Sequence, residues 1–119
     1  MRLRSDIWVA AYIRRCEIEG AAAVLRRRGA AEAGAIFIKV DRLDGQAALF
    51  APAPQSEVAG RGIERLWARA HKAEWSEPGE VENRLKREIA FDPDLWLIEV
   101  EDRAGRHWLD LADQADRGR

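Results

Sequence analysis

The chain has 119 residues, 47% hydrophobic and 34% charged, with a formal net charge of −1. That length suits one domain and argues against two independent cores. Its 20 basic and 21 acidic residues nearly cancel, which argues against a dominant electrostatic pull on nucleic acid or membrane. The single cysteine, Cys16, excludes an internal disulfide framework and any cysteine-built zinc site.

Met1-Arg2-Leu3-Arg4 and the apolar run from Ile7 to Ile13 have the outline of a secretory leader. Asp6 interrupts its front, however, and Arg14 and Arg15 close the run after seven residues. No segment approaches the ~20 apolar residues needed to span a bilayer. With the lone thiol, this points to a cytoplasmic protein with no membrane partner.

Ser5 is a candidate N-cap and Asp6 suits a first turn. Ile7, Ala10, Ala11 and Ile18 follow helical spacing, and Trp8 and Tyr12 form an adjoining stripe. With Gly20 as the stop, a helix is predicted over 5–19. A short strand over 22–27 and a turn over 28–34 follow. Ala35 to Val40 is the clearest strand, with Ile36, Ile38 and Val40 on one face. Asp44-Gly45 marks a turn, Gln46 to Phe50 returns as the partner strand, and Pro52 and Pro54 end it.

Gln55 to Gly62 reads as a mobile loop. Ile63, Leu66, Trp67 and Ala70 then have helical spacing, which predicts a helix over 63–74. Ser76 and Pro78 open another helix, with Val81, Leu85 and Ile89 in step, ending near Phe91 ahead of Pro93. Trp96, Ile98 and Val100 alternate with Leu97, Glu99 and Glu101, a half-buried antiparallel pattern. A turn over 103–106, a last short strand over 107–111 and a frayed tail over 113–119 complete the chain. The predicted fold is one α+β domain over 1–112. It has a small antiparallel sheet of about four to five strands, with the N-terminal helix and one or two later helices packed on one face.

Several stretches recur in a known order. They are Arg2-Leu3-x-Ser5-Asp6-x-Trp8-Val9, Arg14-Arg15, Gly34-Ala35, Leu49-x-Ala51-Pro52-Ala53-Pro54-Gln55, Phe91-Asp92-Pro93-Asp94-Leu95-Trp96 and Glu99-x-Glu101-Asp102-Arg103-x-Gly105-Arg106. Together they resemble the bacterial family catalogued as domain of unknown function 1491, known mainly from alphaproteobacteria. The likeness runs from the N-terminus to about Leu109 and is weakest between Ser56 and Trp75. It implies a small bacterial cytosolic protein and carries no activity, cofactor or catalytic residue with it.

The most suggestive chemistry lies in Pro93-Asp94 followed by Glu99-Val100-Glu101. Restriction-type nucleases place a Pro-Asp pair ahead of an acid-x-Lys strand, where the acids hold Mg²⁺ and the lysine helps to activate water. Here Glu101 stands in the lysine's place, so a metal-dependent phosphodiesterase using Asp94, Glu99 and Glu101 is only the alternative reading. The stronger one has Asp92 and Asp94 building a turn while Glu99 and Glu101 face water.

Arg14, Arg15 and Arg26 to Arg28 form the only basic cluster. Residues 1–40 carry a net charge of +4 and residues 41–119 a net charge of −5, a bipolar rather than a basic domain. On a strand Arg26 and Arg28 share one face and Arg27 takes the other, with pairing to Glu99 or Glu101 expected. Nucleic-acid binding through these arginines is therefore disfavoured. His71 and His107 lack metal-site spacing, and Cys16, late in a helix, reads as a buried structural thiol. There is neither a nucleophile elbow nor a phosphate-cradling glycine loop.

Five tryptophans are many for this length. Trp67 and Trp96 read as packing. Trp8, Trp75 and Trp108, with Tyr12 and Arg15, are the candidate binding surface, because exposed tryptophans dominate interface energetics. The sequence thus points to a non-enzymatic module that binds an unidentified protein or itself, with no cofactor and no metal.

Overall fold

The computed structural model describes residues 2–54 and 65–112. The loop predicted over 55–62 and the tail predicted over 113–119 lie outside the described residues. Helix α1 spans Ser5–Ile18, and the strands are β1 (Ala22–Arg27), β2 (Ile36–Asp41), β3 (Ala47–Pro52), β4 (Trp67–Arg69) and β5 (Trp96–Glu101). Helix α2 spans Pro78–Phe91. The five strands form one sheet in the order β1-β5-β2-β3-β4. All neighbours are antiparallel except β2 and β5, which run parallel with Ile38 opposite Ile98.

The class is α+β, as the sequence indicates, but the two helices do not share a face. Val9, Tyr12 and Cys16 of α1 pack on Ile36, Ile38, Val40, Trp96, Ile98 and Val100. Val81 and Leu85 of α2 pack on Phe37, Leu49, Leu95 and Leu97, which point the other way because side chains alternate along a strand. The central strands are thus buried on both faces, and their near-continuous apolar sequences reflect it.

The buried stripe of α1 also differs from the predicted one. Ser5, Val9, Tyr12 and Cys16 are buried, at spacings of four, three and four, whereas Ile7 and Ile18 face solvent. Ser5 is not the cap: Arg4 occupies that position and no side chain caps the helix. The Ser5 hydroxyl is fully buried and donates to the Gly34 carbonyl at 2.7 Å, which ties the start of α1 to the loop before β2. Ser5→Ala removes that donor from a dry site and is expected to cost about 1–2 kcal/mol in urea unfolding. A loss below a few tenths would show the bond to be dispensable.

The predicted helix over 63–74 is corrected for the residues described. Trp67–Arg69 pairs with β3 as an edge strand, and the chain then turns toward α2. Its helical spacing was incidental; Trp67 is buried from a strand, with its indole nitrogen donating to the Ile36 carbonyl at 3.0 Å. Strand β3 also runs through Pro52, opposite Trp67 near the sheet edge, where a missing N–H is tolerated. Residues 107–110 are irregular rather than a strand. Only Leu111 makes a bridge, to Trp67.

Candidate functional site

Most of the aromatic candidates are engaged inside the molecule. Tyr12 is 4% exposed and its hydroxyl donates to the His107 carbonyl at 2.8 Å. Burial pushes that hydroxyl's pKa far above the usual phenol range. Trp8 is half-buried, stacked on Tyr12 with ring centroids 4.9 Å apart and lying 4.7 Å from Trp67. Arg15 is exposed and paired with Glu19 at 3.4 Å, one helical turn on. Cys16 is completely buried and its thiol pKa is raised by that burial, as its sequence position suggested.

Trp75 and Trp108 lie partly buried under arginines. The Arg42 guanidinium stands 4.9 Å from the Trp75 ring and that of Arg69 5.8 Å, while Arg106 lies 4.9 Å from Trp108. Arg69 also stands over Phe50, whose ring is 5.0 Å from that of His107. Burial lowers the His107 pKa, and the nearby Arg69 charge acts in the same direction. The turn behind this cluster is held by Asp102. Its carboxylate accepts from the Arg106 guanidinium at 2.7 Å, which is the main cause that holds it below the usual carboxylate range, and from the Arg106 backbone N–H at 2.8 Å. Gly105, at φ +74°, lets the chain pass beside the Trp75 ring. The Asp102-x-x-Gly105-Arg106 stretch is therefore a built turn.

The carboxylates of the nuclease-like pattern are not brought together. Asp94 precedes β5, and the Asp92 carboxylate accepts its backbone N–H at 3.0 Å, an Asx turn of the kind the sequence suggested. Glu99 lies five residues further on, roughly 16 Å along an extended chain. Its carboxylate contacts Arg26 at 3.0 Å and Lys39 at 3.7 Å. Glu101 is exposed at the strand end. Among the described residues, no three His, Cys, Asp or Glu side chains gather as ligands for a metal ion.

The Arg26–Glu99 pair is the one the sequence suggested, but Lys39 and Glu82 beside it were not anticipated. Lys39 points from β2 into the α2 face, with its side chain only 6% exposed, and donates to Glu82 of α2 at 2.7 Å. Arg26 forks onto the same Glu82 carboxylate at 2.8 and 2.9 Å. The hydrogen bond from Arg26, helped by Lys39, holds the Glu82 carboxyl at about 2. A lysine amid Ala35-Ile36-Phe37-Ile38-Lys39-Val40 was the available signal, because a buried charge needs a partner. The arginines are dispersed as well: Arg26 serves this cluster, Arg27 donates to the Pro93 carbonyl at 2.7 Å, and Arg28 lies 5.4 Å from the Trp96 ring.

Two open features remain. Strand β1 is a sheet edge, and among the described residues no backbone group pairs with its outer side. Beside it, Val24 is 59% exposed and Ile18, in the last turn of α1, is 70% exposed. On the opposite part of the sheet, a cavity of about 300 Å³ opens between α2 and the ends of β3 and β4. No helix among the described residues is long and apolar enough to cross a membrane.

Comparison with known proteins agrees with this frame. The model of a family described as "Protein of unknown function (DUF1491)" matches residues 3–110. A crystal structure of a DUF1491 family protein from Caulobacter crescentus CB15 is 42% identical, with a TM-score of 0.75, covering 92% of this chain and 94% of that one. An NMR structure of a DUF1491 family protein from the same organism gives 44% identity and a TM-score of 0.75 at the same coverage. The solution structure of protein Atu0922 from A. tumefaciens is 37% identical, with a TM-score of 0.76, covering 93% of this chain and 95% of that one. No curated protein matches the chain.

Proposed function

We propose a binding role for this chain, which belongs to the DUF1491 family, and place it on the free edge of β1. The reading is of a non-enzymatic module that pairs with a second copy of itself by strand addition. One observation carries it: β1 offers an unpaired ladder edge beside exposed Val24 and Ile18. An edge of this kind is a template for another strand.

The charges favour a like partner. Glu19 and Glu101 flank the start of β1, Arg27 is its last residue and Arg28 follows it. An antiparallel two-fold pairing sets each copy's acidic end beside the other's basic end, and it closes on itself without forming fibres. The register shift between Leu25 and Arg27 twists the far end of the edge and limits indiscriminate addition. Of the residues singled out in the sequence, Arg15 lies in the same last turn of α1 as Ile18. Trp8, Tyr12, Trp75 and Trp108 are packed within the scaffold.

Light scattering on a sizing column tests this. The expected mass is twice 13.5 kDa at about 0.1 mM protein, reverting to the monomer in Val24→Lys. Val24 is exposed, so the variant retains its fold and sets two like charges at the seam. A wild-type monomer up to about 1 mM defeats the proposal. So does a dimer that Val24→Lys leaves intact.

A further inference from the structure

We propose that the cleft between α2 and the β3–β4 end is a binding site for a small organic anion, a carboxylate or phosphate ester on a short apolar body. The site lies on the α2 face and does not depend on the β1 edge. Its volume of about 300 Å³ is at the lower end of small-molecule pockets. Leu49, Ala70 and Val81 supply apolar lining, and Leu49 and Val81 are almost wholly buried. Leu49 and Val81 therefore form a closed floor, and half-buried Ala70 supplies the apolar surface left for a ligand body to cover.

Arg84 and Arg87, one turn apart on α2, line the same cleft. Arg84 is held in place, its Nε donating to Glu88 at 2.7 Å and its Nη1 to the Ala70 carbonyl at 3.1 Å. That bond fastens the helix to the chain leaving β4 and leaves Nη2 with no protein partner among the described residues. The Arg87 guanidinium has no hydrogen bond or ion pair among the described residues. The Arg84 charge is already paired with Glu88, so an anion gains its charge-assisted hydrogen bonds chiefly at Arg87, with Nη2 of Arg84 as a further donor.

The remaining lining sets orientation. Glu80, whose carboxylate accepts from Ser76 at 3.2 Å, stands two turns from Arg87, roughly 10 Å along the helix. It stands one turn from Arg84 and repels an anion at that end, so the anionic head is directed to Arg87. His71 forms a fixed wall: its Nε2 accepts the Leu49 backbone N–H at 3.1 Å and its Nδ1 donates to the Ala73 carbonyl at 2.7 Å. Both ring nitrogens are occupied, so the imidazole shapes the cleft and does not move protons for a ligand.

Phenyl phosphate, benzoate and neutral benzyl alcohol, titrated into the ¹⁵N-labelled full chain, serve as probes. Saturable amide shifts at Leu49, Ala70, His71 and residues 80–87 are expected from an anionic probe, with a Kd near or below about 1 mM. The tighter of the two anions then assigns phosphate ester or carboxylate. Arg87→Gln breaks no hydrogen bond or ion pair among the described residues and is expected to weaken that binding about tenfold, the effect of one charge-assisted bond. Three results overturn the proposal: no saturation by either anion, equal affinity for benzyl alcohol, or unchanged affinity in Arg87→Gln.

Discussion

Gly29→Ala is expected to destabilise the fold by about 3 kcal/mol, while Gly79→Ala is expected to be neutral or slightly stabilising. A methyl group at Gly29 would run into the carbonyl oxygen of Asp94, and would lie 2.6 Å from the Leu95 carbonyl carbon and 2.7 Å from Cδ1 of Trp96. The first two are backbone atoms and the third belongs to a side chain that is 1% exposed, so none can step aside cheaply. The same junction is clamped from both directions. The Ala30 N–H donates to the Asp94 carbonyl at 2.9 Å, and the Trp96 indole N–H donates to the Ala30 carbonyl at 2.8 Å. Separating the two segments to admit a methyl would loosen these bonds and the entry to β5. Gly79, by contrast, lies in the first turn of α2 with nothing within 4 Å of the added carbon. Alanine there lowers the entropy of the unfolded chain at no steric cost. Urea midpoints at constant m-value separate the pair. A Gly29→Ala protein as stable as wild type would mean that the 29–30 and 94–96 junction yields freely.

The elements legible in the sequence are those whose local signals and burial agree. Pro78 and Pro93 bracket α2, and Val81 and Leu85 face the sheet as their spacing requires. Ile36, Ile38 and Val40 share one face. The failures are of one physical kind: short-range pattern was read where a distant contact decides. Leu66, Trp67 and Ala70 fit a helical period, yet Trp67 reaches the Ile36 carbonyl from a strand, a partner thirty-one residues away. Ile7 and Ile18 are apolar, but the stripe of Ser5, Val9, Tyr12 and Cys16 faces the sheet, packed in the core and joined to distant carbonyls by the Ser5 and Tyr12 hydroxyls. The placement of α2 on the second face follows from Phe37, Leu49 and Leu97, which an alternation rule alone treats as outward. For the candidate surface, tryptophan abundance proved informative about packing: Trp8 stacks on Tyr12 and Trp67, and Trp75 lies among arginines. The open β1 edge and the α2 cleft could not be read from composition, since each depends on strand order.

Glu82→Gln is expected to cost about 2–3 kcal/mol and to flatten the acid limb of the stability profile. Glu82 is the hub between Arg26 and the buried Lys39, at 2.8 and 2.7 Å. In the folded chain its carboxyl titrates at about 2, against 4.5 for the free side chain, with the Arg26 hydrogen bond as the leading cause. The folded state therefore holds this proton less tightly than the unfolded chain. The resulting stabilisation is complete above pH 4.5 and is lost as the pH falls toward 2. Full conversion of that difference would give ~3 kcal/mol. Because the Glu82 side chain is 34% exposed, water screens it, and about half that amount is the expectation. The rest of the cost arises at Lys39, whose ammonium is then left in a dry site with Glu99, at 3.7 Å, as its remaining carboxylate among the described residues. Adding Lys39→Met to Glu82→Gln removes the stranded charge while keeping its volume, so the double variant should recover most of the loss. Chemical denaturation of the four proteins of this cycle between pH 2 and 7 checks both parts. Were the acid limb to persist in Glu82→Gln, the protonation that unfolds the chain would belong to another carboxylate, such as Asp102. Were the double variant no better than the single one, Lys39 would be stabilised by its surroundings without this carboxylate.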